Sequence, residues 1–222
     1  MKKGDFIWIG IIILIVLFFI YPDSGAFYKA QNDIHPFVLG FIKFFILATM
    51  GELLALRIRS TQWKIPNGIF LRALIWGFLG LAIVLVFKIY PVGIDAVIRK
   101  GYLPGASLTG LPSKILNAFY ISTLMNLTFA LFLMGLHRIT DTAIDLYYKN
   151  GQCPSLNKIL EEIQWKDFVS FVVFKTIPLF WIPAHTLTFS LPPEYQVLMA
   201  AVLSVALGSI LAFAKKRTAL IT

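Results

Sequence analysis

Six long runs of apolar residues, separated by polar segments, dominate the pattern along the chain. Each approaches or reaches the roughly 20 residues that a helix needs to cross about 30 Å of hydrocarbon. The runs cover residues 6–21, 37–56, 69–87, 115–136, 168–191 and 197–214. Because a chain in lipid must pair its backbone groups internally, the runs predict an all-α integral membrane bundle of about six transmembrane helices.

The segments between the runs predict shorter elements but no linker. Residues 91–114 are rich in glycine and proline, which predicts a short amphipathic stretch at 92–99 and then a loop. Residues 137–165 predict a helical extension through Tyr148, a turn at Asn150-Gly151 and an amphipathic piece at 156–163. Since nothing divides the apolar runs into independent units, the prediction is a single transmembrane helical domain, 1–222.

The distribution of charge predicts the orientation. Of the 20 Lys and Arg residues, 13 fall on the side of the N-terminus, five on the opposite side and two, Lys43 and Lys175, within runs. Basic loops are retained in the cytoplasm, so both termini of this multi-pass membrane protein are predicted to be cytoplasmic. The first run follows Lys2 and Lys3 like a signal sequence, and it is interpreted as a retained span.

Composition also limits the kinds of partner that are expected. The chain is 58% hydrophobic and 14% charged, whereas about a quarter of the residues in soluble domains are charged. Its +9 net charge forms no basic stripe, so no nucleic acid is expected as a partner. The expected partner is the lipid bilayer. Assembly into a homo-oligomer or with another membrane subunit is a further possibility that the sequence leaves open. Cys153 is the only cysteine, and neither a cofactor motif nor a metal-ligand spacing is present.

Ionisable residues within the runs are candidates for function, because charges in hydrocarbon are costly and normally face protein or water. Glu52 and Lys175 are predicted to lie at a similar depth and to form an ion pair. The fifth run is unusually polar, and its side chains predict a solute pathway or a buried polar network together with Glu52. The candidate residues are Glu52, Lys175, Thr176, His185, Thr186 and Thr188.

Two prolines in the same run predict helix kinks. Pro178 and Pro183 lack an amide hydrogen, so in an α-helix they free the carbonyls of Phe174 and Leu179. The last run places small residues at four-residue intervals, which predicts a face where another helix packs closely. These residues are Ala200, Ser204, Gly208 and Ala212.

One polar helix face follows the fourth run. His137, Asp141 and Asp145 are spaced by four residues and can meet along a helix. No activated nucleophile accompanies them, so the chain is not expected to be an enzyme.

The stretch from Trp181 to Gln196 resembles the C-terminal signature of the Mpv-seventeen family of mitochondrial and peroxisomal membrane proteins. Trp181, Pro183, Phe189 and Pro192 match its pattern, while His185, Thr188 and Gln196 replace the family's glutamine, asparagine and arginine. The resemblance implies a small helical membrane protein of a kind often proposed to form a weakly selective channel.

Two functions follow as hypotheses. The first is a weakly selective channel or transport-like protein for small polar solutes, which a continuous polar path among Glu52, Lys175, Thr186 and His185 would favour. The alternative is a structural or partner-binding membrane subunit, which a dry interior would favour. A cleft holding His137 with Asp141 would instead favour an enzyme.

Overall fold

The computed structural model describes residues 2–218, apart from the side chains of 209 and 211–218 in the last helix. All regular elements of the described residues are helices, which confirms the all-α fold class. The elements, in order, are α1 (Lys3–Ile20), α2 (Pro22–Ile34), α3 (Pro36–Ser60), α4 (Ile69–Arg99), α5 (Gly110–Leu127), α6 (Phe129–Asn150), α7 (Leu156–Glu162), α8 (Trp165–Asp167), a π-helix (Phe168–Trp181), α9 (Ile182–Phe189) and α10 (Pro193–Thr218).

Among the described residues, five helical stretches are long and apolar enough to cross a membrane. They are Lys3–Ile20, Pro36–Ser60, Ile69–Arg99, Gly110–Asn150 and Trp165–Phe189. In α10 the corresponding apolar stretch, Pro193–Gly208, is shorter. The stretches coincide with the six predicted runs.

Two predicted boundaries are wrong. The amphipathic piece at 92–99 is a direct continuation of α4, because Pro91 is accommodated inside a helix of 31 residues. The fourth run is divided at Thr128, whose φ of −122° and ψ of −79° separate α5 from α6. The predicted turn at Gly151 is confirmed, since this residue ends α6 with a left-handed φ of 71°.

The fifth run departs most from a regular α-helix. Its 14-residue π-helix is far longer than the single-turn bulges in which this geometry usually occurs, and such bulges are frequent at functional sites. The hydroxyl of Thr176 donates to the carbonyl of Phe171, five residues earlier, at 3.1 Å. Pro178 lies inside the π-helix and Pro183 lies in the first turn of α9. The two prolines therefore flank the change from π to α geometry. The prediction of kinks assumed one continuous α-helix instead.

Close helix packing joins α3 to two neighbours. Gly40 of α3 faces Gly80 of α4, where a Cβ atom on Gly80 would lie 2.7 Å from the Gly40 carbonyl oxygen. On another side of α3, a Cβ atom on Gly51 would lie 3.0 Å from the Cα of Val205 in α10. The predicted small-residue face of the last helix thus packs against α3, with Gly208 close to the Gly51 carbonyl.

We expect Gly80→Ala to destabilise the protein by about 1–3 kcal/mol, because the added methyl group meets a backbone oxygen that cannot move without separating α3 from α4. Gly93→Ala in the same helix is the matched control. A Cβ atom there meets nothing within 4 Å, so the substitution should gain up to about 1 kcal/mol of helix propensity. Thermal unfolding in detergent micelles measures both, and equal melting temperatures for the two variants would contradict the packing account.

Polar contacts attach α1 and α2 to the bundle at opposite ends. At one end, Asp5 accepts hydrogen bonds from Arg57 Nε and Trp63 Nε1, each at 2.8 Å. Lys43 lies at the other end and donates to Asn32 Oδ1 at 2.8 Å, so its ammonium group is covered by α2.

A second ion pair holds α2 against the start of α10. Lys29 Nζ lies 2.8 Å from Glu194 Oε1, and this hydrogen bond raises the pKa of the Lys29 ammonium. The two ends of the bundle therefore carry separate polar clusters.

Candidate functional site

A cavity of about 490 Å³ lies between α3, α4, α6, the π-helix and α10. The cavity lies toward the end of the bundle where Asp5 contacts Arg57. This is the end predicted to face the cytoplasm. Polar side chains are concentrated on its wall, namely those of Glu52, Arg59, Arg72, Trp76, His137, Arg138, Asp141, Asp145, Thr176 and Ser204. Ionisable groups are expensive in a membrane helix unless they face protein or water, and this cavity supplies such an environment.

Arg72 is the centre of charge in the cavity. It is the fourth residue of α4, and its side chain is only 9% exposed. Its two terminal nitrogens reach two carboxylates one helical turn apart on α6, Asp141 Oδ1 at 2.7 Å and Asp145 Oδ1 at 2.5 Å. The four-residue spacing of these aspartates places both on the face that α4 packs against. The pairs therefore fix the register between α4 and α6.

Glu52 projects from α3 toward the same two helices. Trp76 Nε1 donates to Glu52 Oε1 at 2.6 Å, and His137 Nε2 lies 3.5 Å from that oxygen. The other ring nitrogen, Nδ1, lies 3.7 Å from Asp141 Oδ2. The imidazole of His137 is thus placed between two carboxylates, with the indole of Trp76 4.2 Å away between ring centroids.

The nitrogens of His137 are not satisfied by these neighbours. Distances of 3.5 and 3.7 Å exceed those of ordinary hydrogen bonds, and Nε2 is shielded from solvent with no hydrogen-bond partner. Orphaned buried nitrogens are uncommon and usually mark a water, an ion or a reactive group.

The predicted pair between Glu52 and Lys175 is not formed. Glu52 has Trp76 and His137 as partners, whereas Lys175 is exposed on the outside of the π-helix. Thr176, the next residue, is buried and lines the cavity. Of the six candidates for the solute pathway, Glu52 and Thr176 are the two that reach the cavity.

His185 lies deeper in the bundle, against a second cavity of about 100 Å³ that is largely apolar. The side chain is buried, its Nδ1 lies 3.0 Å from Asn126 Nδ2, and its ring stacks on Trp181. Trp76 and Trp181 belong to the walls of both cavities, together with Leu133, Met134 and Ser204. These shared walls separate the charged cavity from the apolar one.

Thr186 and Thr188 do not extend the polar surface. Their hydroxyls donate to carbonyls of their own helix, those of Ile182 at 2.7 Å and Ala184 at 2.9 Å. The continuous path from Glu52 through Lys175 and Thr186 to His185 is therefore not present.

The small residues of α10 have two roles. Ser204 and Gly208 line the charged cavity, while Ala200 is buried against the second cavity. The side chain of Ala212 lies outside the described residues.

Sequence reasoning missed the cluster around Arg72 and Trp76. Arg72 was counted only among the basic residues on the side of the N-terminus, and Trp76 was not a candidate. Their four-residue spacing on one helix face was the available signal, since it matches the spacing of His137, Asp141 and Asp145.

Comparison of the chain with protein-family models, curated proteins and solved structures finds no match. The class of protein is therefore defined by the sequence and fold of the chain itself. It is an all-α protein whose helices are those of a multi-pass membrane protein, with a charged cavity toward one end of the bundle.

Proposed function

We propose that this protein admits small polar solutes to the charged cavity and passes them across the membrane. The cavity is the observation that carries the proposal. Its volume of about 490 Å³ falls within the range of small-molecule sites, and its polar groups sit among helices that are otherwise apolar. A structural subunit has no need of such a space, because close packing would stabilise the bundle better.

The orientation proposed from the basic residues places both termini, and the mouth of the cavity, in the cytoplasm. Arg59 and Arg138 are exposed and lie at this mouth. The resemblance of residues 181–196 to the Mpv-seventeen family supports the same class of weakly selective membrane protein. Solutes would enter between the two arginines and reach Trp76 and Trp181, which separate the cavities and would have to move for a solute to cross.

Reconstituted protein tests the proposal. Proteoliposomes are mixed with hyperosmotic glycerol, sodium lactate or choline chloride, and their reswelling is followed by light scattering. We expect reswelling faster than in empty liposomes for at least one of the three solutes. Reaction of Cys153, an exposed cysteine between α6 and α7, with an impermeant maleimide measures which end of the protein faces outward.

A matched pair of variants links the flux to the cavity. Val172 lines the cavity, whereas Val169 in the same π-helix is exposed on its outer side. Val172→Trp should narrow the cavity and slow reswelling, and Val169→Trp should leave reswelling unchanged. Reswelling equal to that of empty liposomes for all three solutes, or equal in the two variants, would reject transport through this cavity.

A second candidate function rests on the same cluster. The cleft that holds His137 with Asp141 was the feature expected of an enzyme, and it is present within the charged cavity. Chemical change of a solute, rather than its movement, would distinguish this candidate, and mass spectrometry of the liposome contents would detect it.

A further inference from the structure

We infer that Glu52, His137 and Asp141 form a binding site for one divalent first-row transition-metal cation such as Zn²⁺. One ring nitrogen of His137 and one carboxylate oxygen from each acid lie within 4.8 Å of one another. In a tetrahedral zinc site, ligands about 2.1 Å from the ion lie about 3.4 Å apart, so the set closes when its more distant atoms move together by about 1 Å. The inference goes beyond transport, since the ion binds here whether or not a solute crosses.

The orphaned nitrogen of His137 is an independent observation in favour of an ion. Nε2 is shielded from solvent, has no hydrogen-bond partner and lies 3.5 Å from Glu52 Oε1. That distance is too long for a hydrogen bond and suits two ligands of one metal ion. A cation between them satisfies both atoms, which the surrounding side chains do not.

The charge of the cluster favours a cation. Arg72 pairs with Asp141 and with the exposed Asp145. No Lys or Arg among the described residues pairs with Glu52, so its carboxylate has His137 as its only basic neighbour in a partly buried site. A bound cation supplies a positive partner there.

The donor set selects the type of metal. An imidazole nitrogen favours Zn²⁺ and its first-row neighbours, whereas Mg²⁺ prefers oxygen ligands in octahedral geometry. Three protein ligands also leave a coordination position open toward the cavity, as in zinc sites that bind water or a substrate.

Hydrogen bonds already hold both carboxylates in place. Trp76 Nε1 donates to Glu52, and Arg72 holds Oδ1 of Asp141, whose Oδ2 lies 3.7 Å from Nδ1 of the imidazole and has to turn toward Nε2 when the ion binds. Such neighbours of metal ligands typically change affinity by about 10–100-fold when they are removed.

Zinc binding to the purified, metal-free protein tests the inference, with a chromogenic chelator as competitor. We expect one Zn²⁺ per chain and no displacement by excess Mg²⁺. Glu52→Gln, His137→Gln and Asp141→Asn keep the side-chain shapes and should each weaken Zn²⁺ binding at least about tenfold. His35→Gln is the matched control, because His35 is exposed at the far end of the bundle and should bind Zn²⁺ as the unsubstituted protein does.

Two results would overturn the site. One is the absence of Zn²⁺ binding by the unsubstituted protein, and the other is equal affinity in the three ligand variants and the His35 control. If a variant elutes as aggregate, the test is the addition of Co²⁺ to the unsubstituted protein. We expect the visible absorption of tetrahedral or five-coordinate Co²⁺. A spectrum of hydrated Co²⁺ would reject the site. Flux without Zn²⁺ binding defeats this inference alone, and Zn²⁺ binding without flux defeats transport alone.

Discussion

Replacement of Arg72 by leucine is expected to lower the free energy of unfolding by about 3–5 kcal/mol, the usual cost of removing one partner of a buried ion pair. Arg72 is 9% exposed and its Nη1 lies 2.7 Å from Asp141 Oδ1. Without the guanidinium, the carboxylate of Asp141 loses the only Lys or Arg nitrogen within 4.0 Å of it among the described residues. The effect is therefore larger than the loss of the attraction itself.

Asp145→Asn is the matched control for this prediction. Asp145 also contacts Arg72, but its side chain is 71% exposed, so water replaces the lost interaction. Exposed pairs are worth about 0–1 kcal/mol, and the control should change stability by no more than that. The double variant Arg72→Leu/Asp141→Leu removes both charges and should recover most of the loss, because a buried pair can often be exchanged for apolar residues.

Unfolding in mixed micelles with increasing SDS, followed by tryptophan fluorescence, measures these variants. Equal losses for Arg72→Leu and Asp145→Asn would show that the buried pair contributes no more than a surface contact. Additive losses in the double variant would show that Arg72 and Asp141 do not stabilise each other.

Replacement of Trp181 by alanine is expected to connect the two cavities. Its indole is 8% exposed and belongs to the wall of both. Apolar constrictions of this kind exclude water and polar solutes, so removing the largest side chain should admit them to the deeper cavity. A barrier lower by about 1.4 kcal/mol corresponds to a tenfold faster entry.

A cysteine at Ala130 reports this entry. Ala130 lines the deeper cavity and is buried, and the native Cys153 is replaced by serine in all variants. A charged methanethiosulfonate added at the inner end should modify Cys at position 130 at least about tenfold faster in Trp181→Ala than in the parent. Trp165→Ala is the control, since Trp165 is exposed at the start of α8 and lines neither cavity.

Loss of a buried tryptophan costs about 3–5 kcal/mol, so folding needs its own check. Trp181→Leu fills part of the space and should still raise the reaction rate, although by less. Unchanged rates in both variants, with elution profiles like that of the parent, would contradict a barrier at Trp181.

Much of the architecture was predictable because it depends on local composition. Each apolar run must form a helix long enough for hydrocarbon, and residues 6–21 and 37–56 correspond closely to α1 and α3. The small residues of the last run likewise predicted close packing, since a four-residue period places them on one helix face. The turn at Gly151 follows from a residue that adopts a left-handed φ without strain.

The candidate site was only partly predictable, because its members are far apart in sequence. Glu52 was a candidate because a carboxylate in lipid is costly in free energy. Its partners Trp76 and His137, however, follow it in the sequence by 24 and 85 positions. Which neighbour a helix presents to Glu52 depends on the rotation of each helix about its axis. Composition contains no information on that rotation.

The sequence by itself determined that this is a helical protein of membrane-spanning segments. It also made Glu52 and Thr176 candidates for a polar pathway, together with four residues that do not reach the cavity. The tertiary structure decided the rest. Neighbouring residues of a helix face different sides, and the packing of the π-helix leaves Thr176 toward the cavity and Lys175 outward. The packing of α3, α4 and α6 then brings together groups that each need a partner for their charge. Hydrogen bonds and ion pairs have short range, so only the final packing determines which of these groups meet.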